Sequence, residues 1–145
     1  MPNGSPVHAY VINGSSLLAA AEAGDATLNR LVALAVAQRL CTVSMVIKFC
    51  NEDRINAAFA ACLDHFVIKE PTIYVSMQEV TGRCGDSILS RDPTLEDHEP
   101  WILSLALART ATIVSEESRL SKIRRGAAIL MLPVLTLSEM LALEA

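Results

Sequence analysis

Residues 8–17, HAYVINGSSL, decide the fold, because they combine a buried strand, a tight turn and the start of a helix. The apolar run stops at Ile12, and Asn13, Gly14 and two serines follow it. Open α/β sheets carry their ligand sites at the carboxyl ends of such strands. Asn13 stands at that predicted edge with an amide, where metal or proton chemistry would favour a carboxylate.

The same alternation of strand and helix continues along the chain. Predicted strands cover residues 7–12, 41–49, 66–68, 111–114 and 133–137. Predicted helices cover residues 15–24, 25–40, 51–66, 72–84, 100–110 and 138–145, with a short helix inside 118–132. We therefore expect one α/β domain over residues 1–145, with a central, mainly parallel sheet flanked by helices.

Small polar residues and glycine mark the predicted ends of these helices. Ser15 or Ser16 is expected to cap the first helix, and Gly24 is expected to end it. Asp25 and Ser138 are expected to cap the second and the last helix.

Composition bounds the class of protein. The chain has 145 residues, of which 52% are hydrophobic and 19% charged, enough to fill the core of one domain. No uncharged apolar run reaches the roughly 18 residues of a membrane span, and the first residues lack the pattern of a secretory signal. These features favour the cytoplasm. The four cysteines form no CxxC pair and are therefore expected to be reduced, buried thiols.

The net charge of −4 gives no global sign of nucleic-acid binding, but one stretch is locally basic. Residues 118–126, SRLSKIRRG, hold four cations and no acid: Arg119, Lys122, Arg124 and Arg125. Such a patch either grips phosphates or forms a solvated face, and the sequence leaves both interpretations open.

Two acids lie beside predicted helix starts or strand ends. Glu99 precedes Pro100 at the start of a helix, and Glu117 follows the strand predicted at 111–114. Carboxylates in such places suit Mg²⁺ or Mn²⁺, and a pair of metals can activate water for phosphodiester cleavage. An acid at a helix start also simply stabilises the helix dipole. Trp101 is expected to be a core anchor rather than a platform for stacking bases.

Two parts of the chain resemble PIN domains. Residues 99–117, EPWILSLALARTATIVSEE, and 122–141, KIRRGAAILMLPVLTLSEML, are similar to the bacterial branch that carries an acid-Pro-Trp step before a helix. Residues 10–18, YVINGSSLL, are similar to the PIN start, where an Asp usually ends the first strand and Thr or Ser follows. The resemblance covers the opening of the chain and positions 97–143, whereas the middle fits only in the order of its elements.

The resemblance implies a metal-dependent endoribonuclease, often the toxin of a toxin–antitoxin pair, whose carboxylates surround Mg²⁺ or Mn²⁺. By position, Asn13, Glu99 and Glu117 match its catalytic and metal-binding residues. Ser15 and Ser115 match residues that form hydrogen bonds at the site. The implied partners are RNA, held along the basic residues Arg119, Lys122, Arg124 and Arg125, and an antitoxin protein.

Two departures from the PIN pattern weaken the implied site. Asn13 replaces Asp, and Lys48 or Phe49 stands where a Glu is expected after the second strand, with Glu52 and Asp53 a turn further on. At about 4 Å and an effective dielectric near 20, each unit charge is worth about 4 kcal/mol, so metal affinity should fall.

Two explanations of Asn13 stay open at this point. Either a deliberate or spontaneous mutation disarmed a ribonuclease, whose activity is then weakened or lost, or the chain descends from a nuclease that no longer cuts. The alternative function is a catalytically inactive PIN-like module, for example a homodimer, that binds RNA or a protein partner. The number of carboxylates around the site separates an enzyme from such a module.

Overall fold

Five short strands form one sheet in which all neighbours are parallel: β1 Tyr10–Ile12, β2 Leu40–Val43, β3 Val67–Ile68, β4 Thr112–Val114 and β5 Val134–Leu135. The strand order is β3-β2-β1-β4-β5. The computed structural model describes residues 9–44, 46, 66–68, 73–85, 99–116 and 122–144. The predicted α/β class is confirmed, and the sheet of the described residues is wholly parallel.

Six helices in the described part of the chain cover the sheet: α1 Gly14–Ala23, α2 Asp25–Val36, α3 Tyr74–Cys84, α4 Glu99–Arg109, α5 Lys122–Leu130 and α6 Leu137–Leu143. α3, α4 and α5 pack against one another, and α4 lies on β1, β2 and β4. α1 packs against α2 and α6. Right-handed crossovers place these two groups of helices on opposite faces of the sheet.

The sheet is buried because helices cover both faces. Every residue of β1 and β2 is buried, which explains why these segments show no alternation of apolar and charged residues; the one hydroxyl in β2, that of Thr42, donates to the Ile12 carbonyl. Trp101 is half-buried and packs against the core, as expected of an anchor. Cys41 and Cys84 are buried free thiols, as predicted, whereas Cys50 and Cys62 lie outside the described residues.

The same backbone turn ends three of the helices and leads each into the next strand. The turn residue of each has a positive φ: 59° at Gln38, 52° at Thr110 and 59° at Met131. In each turn the amide one residue further on donates to a carbonyl in the last helical turn, as in a Schellman motif: Arg39 to Leu34, Ala111 to Ala106 and Leu132 to Ala127. α4 and α5 therefore end at the amino edge of the sheet and begin at its carboxyl edge.

Predicted helix caps were partly wrong. Gly24 ends α1 with a φ of 110°, as expected. However, Asn13 caps α1 in place of Ser15 or Ser16, because its side chain accepts a hydrogen bond from the backbone of Gly14. Gly24, and not Asp25, occupies the N-cap position of α2.

The last helix is capped by Thr136 and not by Ser138. Thr136 Oγ1 accepts a hydrogen bond from the Glu139 amide, and the Glu139 carboxylate accepts one from the Thr136 amide. This reciprocal capping box was readable from the spacing of Thr136 and Glu139.

The predicted second strand was too long. β2 ends at Val43, and Ser44 and Val46 are already helical, so the expectation of a strand reaching residue 49 was wrong. An apolar run of this kind fits a buried strand and a buried helix equally well. The residue that directly follows β2 is Ser44. Lys48, Phe49, Glu52 and Asp53 lie outside the described residues.

Candidate functional site

The chain changes direction across the sheet between β1 and β4. It passes from β1 to β2 and β3 on one side, and later enters β4 and β5 on the other. In open parallel sheets, ligands bind beside the carboxyl ends of the strands at such a switch point. Asn13 directly follows β1 and Ser115 directly follows β4, so these two residues mark the switch point here.

Asn13 is fully buried, and both polar atoms of its amide have partners inside the protein. Its Oδ1 accepts from the Gly14 amide at 2.8 Å, which caps α1. Its Nδ2 donates to Ser115 Oγ at 3.2 Å, which joins the ends of β1 and β4 across 102 positions of sequence. The side chain is therefore directed toward the protein's own backbone and hydroxyl groups.

Three more polar residues extend this cluster. The Ser15 and Ser115 hydroxyl oxygens lie 3.4 Å apart, and the Glu116 amide donates to Ser15 Oγ at 3.0 Å. The Glu116 carboxylate accepts from Ser16 Oγ at 2.7 Å and from the Leu137 amide at 3.0 Å. Glu116 thus connects the end of β4 to the first turns of α1 and α6.

Sequence analysis assigned no role to Glu116. Its side chain is exposed, but one carboxylate oxygen has two partners. No local pattern could have indicated the contact, because the Leu137 amide lies 21 positions away. Ser115 and Ser15 do meet, as expected for two residues at one edge, and Asn13 joins them.

Glu99 is the first residue of α4 and is half-buried. Because α4 runs against the direction of β4, this carboxylate lies at the carboxyl edge, on the face covered by α3, α4 and α5. An acid in the first turn also stabilises the helix dipole, so its position alone assigns no chemistry. Glu117 and Arg119 lie outside the described residues.

The basic residues of α5 lie in its first turns, near the same edge of the sheet. Lys122 is the first residue of the helix, Arg124 is half-buried and Arg125 is exposed. Hydrogen bonds from Thr136 lower the pKa of the Glu139 carboxyl, and the charge of Arg124 lowers it further. Arg124 therefore faces an acid of α6, whereas the exposed Arg125 points its charge to the surface.

The described residues do not provide the donor set that Mg²⁺ or Mn²⁺ requires. No group of three or more His, Cys, Asp or Glu side chains comes together among them. Asn13 and Ser115 bring an amide oxygen and a hydroxyl oxygen to the switch point, and Asn13 Oδ1 already accepts a backbone hydrogen bond. Hard divalent cations are bound by several carboxylates together with water, so this cluster, whose single described carboxylate already accepts two hydrogen bonds, does not fit them.

The two described cysteines give no support to thiol chemistry either. Burial raises the pKa of the Cys41 thiol to about 12, although the nearby Arg109 charge lowers it. Burial also raises the pKa of Cys84. A thiol that stays protonated at neutral pH is a poor nucleophile, so both groups serve as small apolar core residues.

The fold and the switch point define an open, parallel α/β domain with a hydrogen-bonded polar cluster at the carboxyl edge of its sheet. Comparison with models of known families gives no match, and neither a curated protein nor a solved structure is significantly similar to the chain. Within the described ranges, no helix is long and apolar enough to cross a membrane.

Proposed function

We propose that this chain is a PIN-like endoribonuclease scaffold whose metal-dependent cleavage is lost or strongly weakened, and which still binds RNA at the carboxyl edge of its sheet. The observation that carries the proposal is the burial and hydrogen bonding of the Asn13 side chain. Its amide is buried and hydrogen-bonded to Gly14 and Ser115, at the position where the PIN resemblance implies a metal-binding Asp.

The strand ends around Asn13 support the loss of cleavage. Ser44 follows β2, Ser115 follows β4 and Thr136 follows β5, so these positions bring no negative charge. β3 is followed in sequence by Lys69, which lies outside the described residues. A divalent cation beside Asn13 would therefore find no carboxylate on the residues that directly follow β1, β2, β4 and β5. We therefore assign no hydrolytic step to these residues.

The position of α5 supports RNA binding at the same edge. Lys122, Arg124 and Arg125 fall in its first turns, which begin beside the end of β4, and the sequence of these turns contains no acid. Arginine side chains contact RNA through the phosphate backbone, where positive charge supplies most of the affinity. Glu99 and Glu116 share this edge, so the binding surface is confined to the side of α5 that carries the exposed Arg125.

Cleavage and binding are tested separately. A labelled single-stranded RNA is incubated with MnCl₂ and either the natural chain or Asn13→Asp. We expect no manganese-dependent cleavage by the natural chain. Efficient manganese-dependent cleavage by the natural chain would contradict the proposal, and cleavage by Asn13→Asp alone would show that one substitution separates this scaffold from an enzyme.

Binding is measured by fluorescence anisotropy with the same RNA. Arg125→Ala should raise Kd several-fold and reduce the salt dependence of binding by about one phosphate contact. Arg83→Ala is the matched control, because Arg83 is also exposed but donates to the Ile129 carbonyl at the opposite end of α5. Equal effects of the two substitutions would show that binding is unspecific.

A protein partner is the second candidate, and the start of α3 favours it. Tyr74 and Val75 are neighbours there, and their side chains are 58% and 78% exposed. An antitoxin or a second copy of this chain would cover them in the cytoplasm. Light scattering after size exclusion would detect a homodimer, and Val75→Asp should then restore the monomer, whereas a monomeric natural chain would leave the antitoxin as the protein candidate.

A further inference from the structure

Four strand ends at the carboxyl edge are followed by uncharged polar residues: Asn13, Ser44, Ser115 and Thr136. Asn13 and Ser115 are fully buried. Water does not reach them, so their polar atoms must find partners within the protein or lose stability. The hydrogen bonds between Asn13, Gly14, Ser15 and Ser115 supply such partners.

Among the described residues, Glu116 brings a carboxylate to this cluster, and its Oε2 accepts hydrogen bonds from the first turns of two helices. Ser16 lies in the first turn of α1, and Leu137 is the first residue of α6. A negative charge placed there stabilises both helix dipoles and accepts an otherwise unpaired amide. A cation that bound the Glu116 carboxylate would therefore compete with its hydrogen bonds from Ser16 and from the Leu137 amide.

We infer that the Asn13–Ser115 hydrogen bond, together with the bonds of Glu116 to Ser15 and Ser16, holds the strand ends in place of a divalent cation, and that Glu116 positions α6 through the Leu137 amide. We call Asn13, Ser115 and Glu116 the strand-end clasp. The inference rests on the proposed function, because it concerns the same site. Its own claims are about stability and metal binding, and they are tested without RNA. It names what replaced the cation, and it adds a role for Glu116.

The clasp makes the protein indifferent to divalent cations. Thermal unfolding is measured in EDTA and in MnCl₂ for the natural chain and for Asn13→Asp. We expect the midpoints in the two solutions to agree within about 1 °C for both proteins, because the described residues bring no group of three or more His, Cys, Asp or Glu side chains together. A ligand present at about 100 times its Kd stabilises a protein by RT ln(1 + [L]/Kd), which raises the midpoint by several degrees. A manganese-dependent rise of that size in either protein would overturn the inference.

Hydrogen exchange tests the role of Glu116 directly. In Glu116→Ala the Leu137 amide loses its acceptor, so its exchange should accelerate at least tenfold, and the first turn of α6 should exchange faster as well. Glu79→Ala is the matched control, because Glu79 is an exposed acid that pairs with Arg83, one turn further along the same helix. Unchanged exchange at Leu137 in Glu116→Ala would refute the clasp.

The outcomes separate this inference from the proposed function. If the natural chain does not bind RNA, only the proposed function is contradicted, because neither hydrogen exchange nor thermal unfolding in MnCl₂ involves RNA. Manganese binding without RNA cleavage contradicts only the clasp. If Glu116→Ala fails to fold, Glu116→Gln keeps one acceptor for the Leu137 amide, and its exchange should lie between those of the natural chain and the fully unprotected amide.

Discussion

The contact between α5 and α4 offers a sharp test of how the sheet is covered. Gly126 is a buried residue of α5, and a Cβ added there would lie 2.4 Å from Leu103 Cδ1 on α4. Leu103 is fully buried, so its side chain has little room to turn away. Gly82, an exposed residue of α3, is a control, since an added Cβ would have no heavy atom within 4 Å.

Two opposing effects decide what Gly126→Ala does. Replacing Gly by Ala within a helix gains up to about 1 kcal/mol, because the unfolded chain loses freedom. Forcing a methyl group into a packed core costs about 1–3 kcal/mol. We therefore expect Gly126→Ala to lose about 1 kcal/mol, whereas Gly82→Ala gains up to about 1 kcal/mol.

Urea unfolding followed by circular dichroism measures both variants. The midpoint should fall for Gly126→Ala and rise for Gly82→Ala at an unchanged slope. Leu103→Ala completes a double-mutant cycle: alone it costs about 2–5 kcal/mol, and combined with Gly126→Ala it should cost roughly 1–2 kcal/mol less, because the contact is relieved. Equal gains from the two glycine substitutions, with no coupling to Leu103, would falsify the close approach of the helices.

Three further outcomes follow from the helix ends. Thr110→Gly should stabilise the fold by up to about 1 kcal/mol in urea unfolding, since a β-branched residue is strained at a φ of 52°, and Thr110→Ala should gain less. Thr136→Ala should cost about 1 kcal/mol in the same assay and raise the exchange of the Glu139 amide, because that amide loses the Thr136 acceptor. Hydrogen bonds from Arg39 and then from Tyr10 hold the pKa of Glu144 below its usual 4.5. The depressed pKa means that Glu144 stabilises the fold fully above about pH 5 and loses this effect as the pH falls through its folded value. Glu144→Gln should accordingly be less stable than the natural chain at pH 7, and the difference should shrink as the pH falls below 4.5. A difference that stays constant throughout acid titration contradicts the assignment.

Much of the site's location could be read from residues 8–17. An apolar run that stops at Asn13 predicts a strand end, and the parallel sheet places that end at the edge where Ser115 also lies. Ser44 shows the limit of such reasoning. The apolar residues around it satisfy a strand and a helix alike, so only the packed structure shows that β2 ends before it.

The residue types around Asn13 were known from sequence, but their hydrogen-bond partners were not. Asn13 and Ser115 are 102 positions apart, and nothing local tells whether an amide faces a cation, water or a hydroxyl group. The hydrogen bond between Glu116 and the Leu137 amide was equally unpredictable, although these two residues are only 21 positions apart. Such partners depend on the register of parallel strands and on the crossover of α5, which the local chain does not encode.

The amino-acid sequence by itself determined the class of fold, the order of strands and helices, and the neutral character of the residue after β1. These properties depend on hydrophobic periodicity and on glycine and polar residues at helix ends, which act over a few neighbouring positions. Only the tertiary structure decided that Asn13 joins β1 to β4 and that Glu116 ties α6 to the strand ends. The reason is physical: those bonds form between segments that meet only after the sheet has assembled, when burial removes water and leaves each polar group to the partner that packing provides.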